Sequence, residues 1–136
     1  MEQESLNKTW FIDIDGTIVN HMSNQELDQA IRSMGEESHL LEKTIDKSLE
    51  FMSSIPSEDT VVLTTARDTR HKQHTLKMLE HFGIRYDEIM FDLRSGPRYL
   101  INDIKPVGTA GNAKPLNTAH AINVERDKGI SIESLS

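Results

Sequence analysis

The sequence predicts an α/β domain built on a parallel sheet, and three observations predict it. The first is the run Trp10-Phe11-Ile12-Asp13-Ile14-Asp15-Gly16-Thr17-Ile18-Val19, in which apolar residues deliver two aspartates into a glycine turn. Such a run reads as a buried strand that stops where the acids begin. The second is Thr60 to Thr64 (Thr-Val-Val-Leu-Thr), which is β-branched and apolar throughout. The third is the helical spacing of apolar residues in the segments that follow each run. Alternating strand and helix patterns argue a parallel sheet joined by right-handed crossovers.

Each element follows in order. Thr9 to Asp13 is the first strand, and Gly16-Thr17 turns the chain. Gln25 to Met34 reads as a short helix with Leu27, Ile31 and Met34 on one face. His39 to Ser53 reads as a better one, because Leu40, Leu41, Ile45, Leu49 and Met52 recur at helical spacing. Ile55 to Asp59 is a connector into the second strand, Thr60 to Thr64. Thr69 to Phe82 is a second strong helix with Leu76, Leu79 and Phe82 inward and Gly83 closing it. Ile89 to Phe91 is a short strand, and Ser95-Gly96-Pro97 is a turn. Tyr99 to Ile101 is a further strand ending at Asn102-Asp103. Val107 to Asn117 is a loop, and Ala119 to Val124 is a last strand before a polar tail.

The whole chain sets the bounds. Its 136 residues suit one domain, 1–136, with little room for a second core. A net charge of −7 argues against broad binding of nucleic acid or anionic membrane, though not against a local basic pocket for a phosphate. There is no cysteine, hence no disulfide framework and no thiolate chemistry. No apolar stretch approaches a membrane span, and Met1 to Lys8 is polar rather than a secretory signal, so the expected compartment is the cytoplasm.

The chemistry gathers where strands end. Two carboxylates as close as Asp13 and Asp15 repel each other unless a cation sits between them, which implies a divalent metal. In a parallel sheet the ends at Asp13 and Asp15, at Thr65 and at Asp103 lie on one side and would converge in one crevice. One Asp-x-Asp-Gly alone is a weak signal, but these three strand ends in this order are a strong one.

Phe11 to Ile18, Leu63-Thr64-Thr65-Ala66-Arg67 and Tyr99-Leu100-Ile101-Asn102-Asp103 resemble the first, second and fourth motifs of the haloacid dehalogenase (HAD) superfamily of phosphohydrolases. The resemblance covers Thr9 to Lys105 and implies a Rossmann-like sheet flanked by helices, with Mg²⁺-dependent phosphoryl transfer through an aspartyl phosphate. It makes Asp13 the nucleophile and Asp15 the general acid and then base. It assigns Mg²⁺ to Asp13, Asp15 (by its backbone carbonyl) and Asp103. Thr65, Gly16 and Ala66 would bind the phosphoryl oxygens. The family's third motif is a lysine or arginine that neutralises the phosphate. No lysine lies between Lys77 and Lys105, so Arg94 is the first choice and Arg98 the second. Asn102 stands where many members carry an acid beside Asp103.

Plainer readings stand beside these. Thr65 could cap the following helix, and Arg67 is expected to pair structurally with an acid near the crevice. Arg94 and Arg98 could be solvated charges. His71 and His74 share a spacing that can bind metal, but without a third ligand they are expected to be exposed helix histidines. Between Asp13 and Thr65 lie about fifty residues, room for at most a short helical insertion, so the enzyme looks capless or nearly so. It is similar to the small members that serve capsule or sugar-phosphate biosynthesis, which implies a small phosphorylated substrate. Capless members often act as oligomers, so a homo-oligomer is a further expectation. The rival readings are a nucleotide or polynucleotide phosphatase, and a catalytically silent domain that binds phosphate or a protein partner.

Overall fold

The computed structural model describes residues 6–131. The remaining residues of the expected 1–136 domain, including the end of the polar tail, lie outside the described residues. Its sheet has three strands in the order β1-β2-β3: β1 Thr9–Asp13, β2 Thr60–Thr64 and β3 Glu88–Met90, each parallel to the next. The helices are α1 Asn24–Met34, α2 Asp46–Ser54 and α3 Lys72–His81. The first two lie between β1 and β2, and the third lies between β2 and β3. No helix among the described residues is long and apolar enough to cross a membrane.

Side chains alternate across a strand, so the register sorts the sheet into two faces. Trp10 and Ile12 on β1 align with Val61 and Leu63 on β2, and Leu63 aligns with Ile89 on β3. These residues join Phe51, Met52, Met78 and Leu79 from α2 and α3 in one hydrophobic core. Trp10 meets Phe51 edge-to-face at 5.5 Å and donates its indole N–H to Asp59, so it is a core residue as expected. The opposite face carries Phe11 and Met90, which are 55% and 48% exposed. Parallel sheets are ordinarily covered on both faces. Here, among the described residues, only one face is packed.

The first helix begins at a capping box: Ser23 accepts from the Glu26 N–H while the Glu26 carboxylate accepts from the Ser23 N–H. The expected helix over His39 to Ser53 is corrected. A 3-10 helix runs from Gly35 to Leu41, the chain then extends, and α2 starts only at Asp46. The cause is a tertiary pairing: Asn20 N–H donates to the Lys43 carbonyl and Ile45 N–H to the Ile18 carbonyl. Those bonds take the backbone groups a continuous helix would need, and they leave Leu40 and Leu41 half-exposed.

Two predicted strands are absent. Tyr99 and Ile101 are 89% and 94% exposed and belong to no strand. The backbone beyond them pairs with the later loop instead. Lys105 and Leu116 exchange N–H···O bonds, Thr118 donates its hydroxyl to the Asp103 carbonyl, and Asn102 reaches the Thr118 carbonyl. Ala119 to Val124 is likewise irregular. The start of the polar tail, by contrast, is structural. Asp127 N–H binds the Gly16 carbonyl, Ile130 enters the core, and a Cβ on Gly129 would lie 2.8 Å from Lys47 Cβ. Gly129 also has φ of +93°, so only glycine suits this close approach.

Leu63 is fully buried at the centre of the packed face. Leu63→Ala should cost about 2–5 kcal/mol of unfolding free energy. Urea denaturation followed by tryptophan fluorescence will read it as a lower midpoint at unchanged slope.

Candidate active site

The carboxyl ends of β1 and β2 lie side by side, with Asp13 aligned to Thr64, and the Ile14 N–H continues the pairing by donating to the Thr64 carbonyl. This brings the Asp13 to Thr17 turn against Thr65 to Arg67, as the strand-end argument requires. Gly16 has φ of +80°, and a Cβ there would lie 3.0 Å from Arg126 Cγ. The turn closes on itself: the Gly16 N–H donates to the Val19 carbonyl and the Thr17 N–H to the Ile14 carbonyl. The Gly16 N–H, expected to face phosphoryl oxygens, is therefore already in use. The N–H groups of Asp15 and Ala66 take no partner among the described residues.

Asp15 is held tightly. Arg67 Nη2 lies 2.8 Å from its Oδ1 and Nε 3.0 Å from its Oδ2. Thr65 Oγ1 lies 3.4 Å from Oδ2 and accepts from the Arg67 N–H at 3.0 Å. Thr65 thus braces the Asp15–Arg67 pair rather than capping the next helix, whose N-cap is Asp68. Arg67 has the structural pairing foreseen for it, and it has a second acid that the sequence concealed. Glu42, in the extended link before α2, accepts from Arg67 Nη1 at 2.6 Å and from Nη2 at 3.0 Å.

His74 Nε2 lies 2.8 Å from Glu42 Oε2, and its Nδ1 lies 2.8 Å from Ser38 Oγ. Both His71 and His74 are buried, which corrects their expected exposure. His71 is set between Asn24 and Asp28 of α1. Burial pushes the Glu42 carboxyl up, but the bonds from His74 and Arg67 outweigh it and hold it below the usual glutamate range. Burial alone would lower Arg67, and its bonds to Asp15 and Glu42 raise it instead.

Asp13 sits at the open side of the same crevice. Its Oδ2 accepts from Thr17 Oγ1 at 3.3 Å, and its Oδ1 lies 2.9 Å from Arg98 Nη1. Arg98, the second choice from sequence, is the cation that reaches the nucleophile position. Arg94, the first choice, is exposed and makes no ion pair among the described residues. Asp103 is not delivered by a strand, because that strand is absent, and it lies exposed.

No protein-family model matches the sequence, and no curated protein and no solved structure is significantly similar to it. The reading of the site therefore rests on its own geometry.

That geometry can be tested against Mg²⁺, which prefers near-octahedral oxygen ligands and is commonly held by one or two carboxylates plus substrate phosphates. Among the described residues no group of three or more histidine or acidic side chains could hold a metal ion. Asp15 is committed to Arg67, and Arg98 lies on Asp13. The residues do not assemble the three-acid set that Asp13, Asp15 and Asp103 were expected to form. What the crevice offers instead is one half-exposed carboxylate beside a cation, with a second carboxylate clamped behind it.

The direction of the Glu42 shift sets an acid limb. A carboxyl held below its ordinary value of 4.5 stabilises the fold above that pH, and the contribution is lost as pH falls through the lowered value. The urea midpoint of the wild type should therefore drop on acidification below about pH 5. In Glu42→Gln the drop should be shallower, and an equal drop would assign the limb to Asp28 and Asp59, whose carboxyls are also lowered.

Proposed function

We propose that the chain is a phosphomonoester hydrolase acting on a small phosphorylated substrate such as a sugar phosphate, with the three-stranded sheet as the centre of a Rossmann-like, nearly capless domain. A cytoplasmic setting belongs to the same reading and fits the cysteine-free sequence. The observation that carries the proposal is the pairing of Asp13 with Arg98 at 2.9 Å, at the mouth of a crevice whose inner wall is Asp15. A carboxylate that must attack an anionic phosphate needs nearby positive charge to offset the repulsion. An arginine can hold phosphoryl oxygens with two parallel N–H bonds while still touching the carboxylate.

The steps follow from these roles. A phosphoryl group entering the crevice draws the Arg98 guanidinium onto its oxygens and frees Asp13 Oδ1. The unpartnered N–H groups of Asp15 and Ala66 supply further donors. The Asp13 carboxylate attacks phosphorus as the bond to the leaving oxygen breaks, and Asp15 gives that oxygen its proton. Water then attacks the aspartyl phosphate. Asp15 takes the proton from that water, and inorganic phosphate leaves as the Asp13 carboxylate is restored.

One observation favours a second reading. The unassembled metal set and the tight clamp on Asp15 suit a catalytically silent domain that binds phosphate or a protein partner.

Phosphate release from an aryl phosphate separates the two. Asp13→Asn should fall to the uncatalysed background. Arg98→Ala should lose about 10²-fold, the scale of one transition-state donor, whereas Arg94→Ala should stay near wild type. Each assay is run with Mg²⁺ and with a chelator, since the resemblance implies that ion. No release by the wild type under either condition would leave the silent-domain reading.

A further inference from the structure

The Asp15 carboxyl is fixed from a distance. Every N–H of the Arg67 guanidinium has an acceptor. Nε and one hydrogen of Nη2 serve Asp15, the other hydrogen of Nη2 and one of Nη1 serve Glu42, and the last serves Thr75 Oγ1 at 3.0 Å. The guanidinium is planar, so its two edges are rigidly related. Whatever fixes the Nη1–Nη2 edge also fixes the angle at which the Nε–Nη2 edge presents Asp15. Glu42 is that fixture. Its own place is set by His74 Nε2, and His74 is in turn held through Nδ1 by Ser38.

Stability alone is a poor account of Glu42. One arginine already balances Asp15, and a second carboxylate with no exposed side chain carries a desolvation penalty of several kcal/mol, roughly, before any bond is counted. The arrangement gains geometry for that cost. With Glu42 gone, Nη1 and Nη2 would each lack an acceptor, and the fork would swing to share the two oxygens of Asp15 end-on. Asp15 would rotate with it.

We propose that Glu42 is a positioning residue which acts through Arg67 to hold the Asp15 carboxyl at the angle that serves the leaving oxygen. The role rests on the phosphatase reading above, because it needs Asp15 to act as the acid. Glu42→Gln is the informative change. The volume is kept, but the amide N–H₂ must face either the Arg67 donors or the His74 ring, so the fork cannot be satisfied on both sides.

The signature is the leaving group. A poor leaving group, such as an alkyl phosphate provides, depends on the proton from Asp15. An activated nitrophenyl phosphate hardly does. Glu42→Gln should therefore lower kcat for the alkyl phosphate by about 10²-fold, a low value for a general acid, with KM within about twofold and a much smaller loss on the nitrophenyl ester. Leu63→Ala, which weakens the core alone, should not change the ratio of the two substrates. Should Glu42→Gln fail to fold, Glu42→Asp keeps the charge, withdraws it by one methylene, and is read the same way.

An equal loss on both substrates, or a loss in KM alone, would overturn the positioning role while leaving the phosphatase reading standing. A wild type that releases no phosphate, or an Asp13→Asn variant as active as wild type, would overturn the phosphatase reading itself, and this role with it.

Discussion

A guanidinium shut away from water must find an acceptor for each N–H, and the arrangement of this protein follows from how Arg67 does so. Its partners come from four separate stretches: Asp15 after β1, Thr65 beside it after β2, Glu42 ahead of α2, and Thr75 on α3. Removing any one would strand a buried charge or donor, which costs far more than the pair contributes when intact. The network therefore acts as a joint. It ties the long β1-to-β2 connection and the helix after β2 to the ends of both strands, and it leaves Asp13 as the less encumbered acid of the pair.

The parts legible in the sequence are those decided by local pattern. Strands β1 and β2, the helix at α1 and most of the helix at α3 follow their apolar periodicity closely, because each packs one face against the shared core. Asp13, Asp15 and Thr65 meet because parallel strands end on one side. What periodicity could not show is competition for backbone bonds. Leu40, Leu41 and Ile45 have helical spacing, yet the ladder between residues 18–20 and 43–45 wins, and it is this ladder that carries Glu42 to Arg67. Glu42 looked like any surface glutamate in sequence. Its only signal was its place in an otherwise apolar stretch.

Tyr99 to Asp103 illustrates the opposite failure. Its residues have strong strand character, but strand character is a statement about fitting a half-buried pleated surface, and no neighbour offers one here. Asn102 and Asp103 bond to the Thr118 region, and Arg98 turns toward Asp13. The choice between Arg94 and Arg98 was equally closed to sequence, since both are four residues apart on an irregular segment and only the path of the backbone decides which one arrives. The sheet is left with one packed face and with Phe11 and Met90 open on the other. In small parallel sheets such a face is uncommon, and it makes the outer side of β1 the least protected part of the domain.

The two arginines of the crevice differ in one respect with a practical result. The Arg67 side chain is 1% exposed and its partners are nearly as enclosed, whereas the Arg98 and Asp13 side chains are 39% and 34% exposed. Dissolved ions screen charges that water can reach and hardly touch those it cannot. Raising the ionic strength will therefore loosen the gate of the crevice while its back wall keeps its shape. The concentration of salt becomes a dial on Asp13 alone, without altering a single residue.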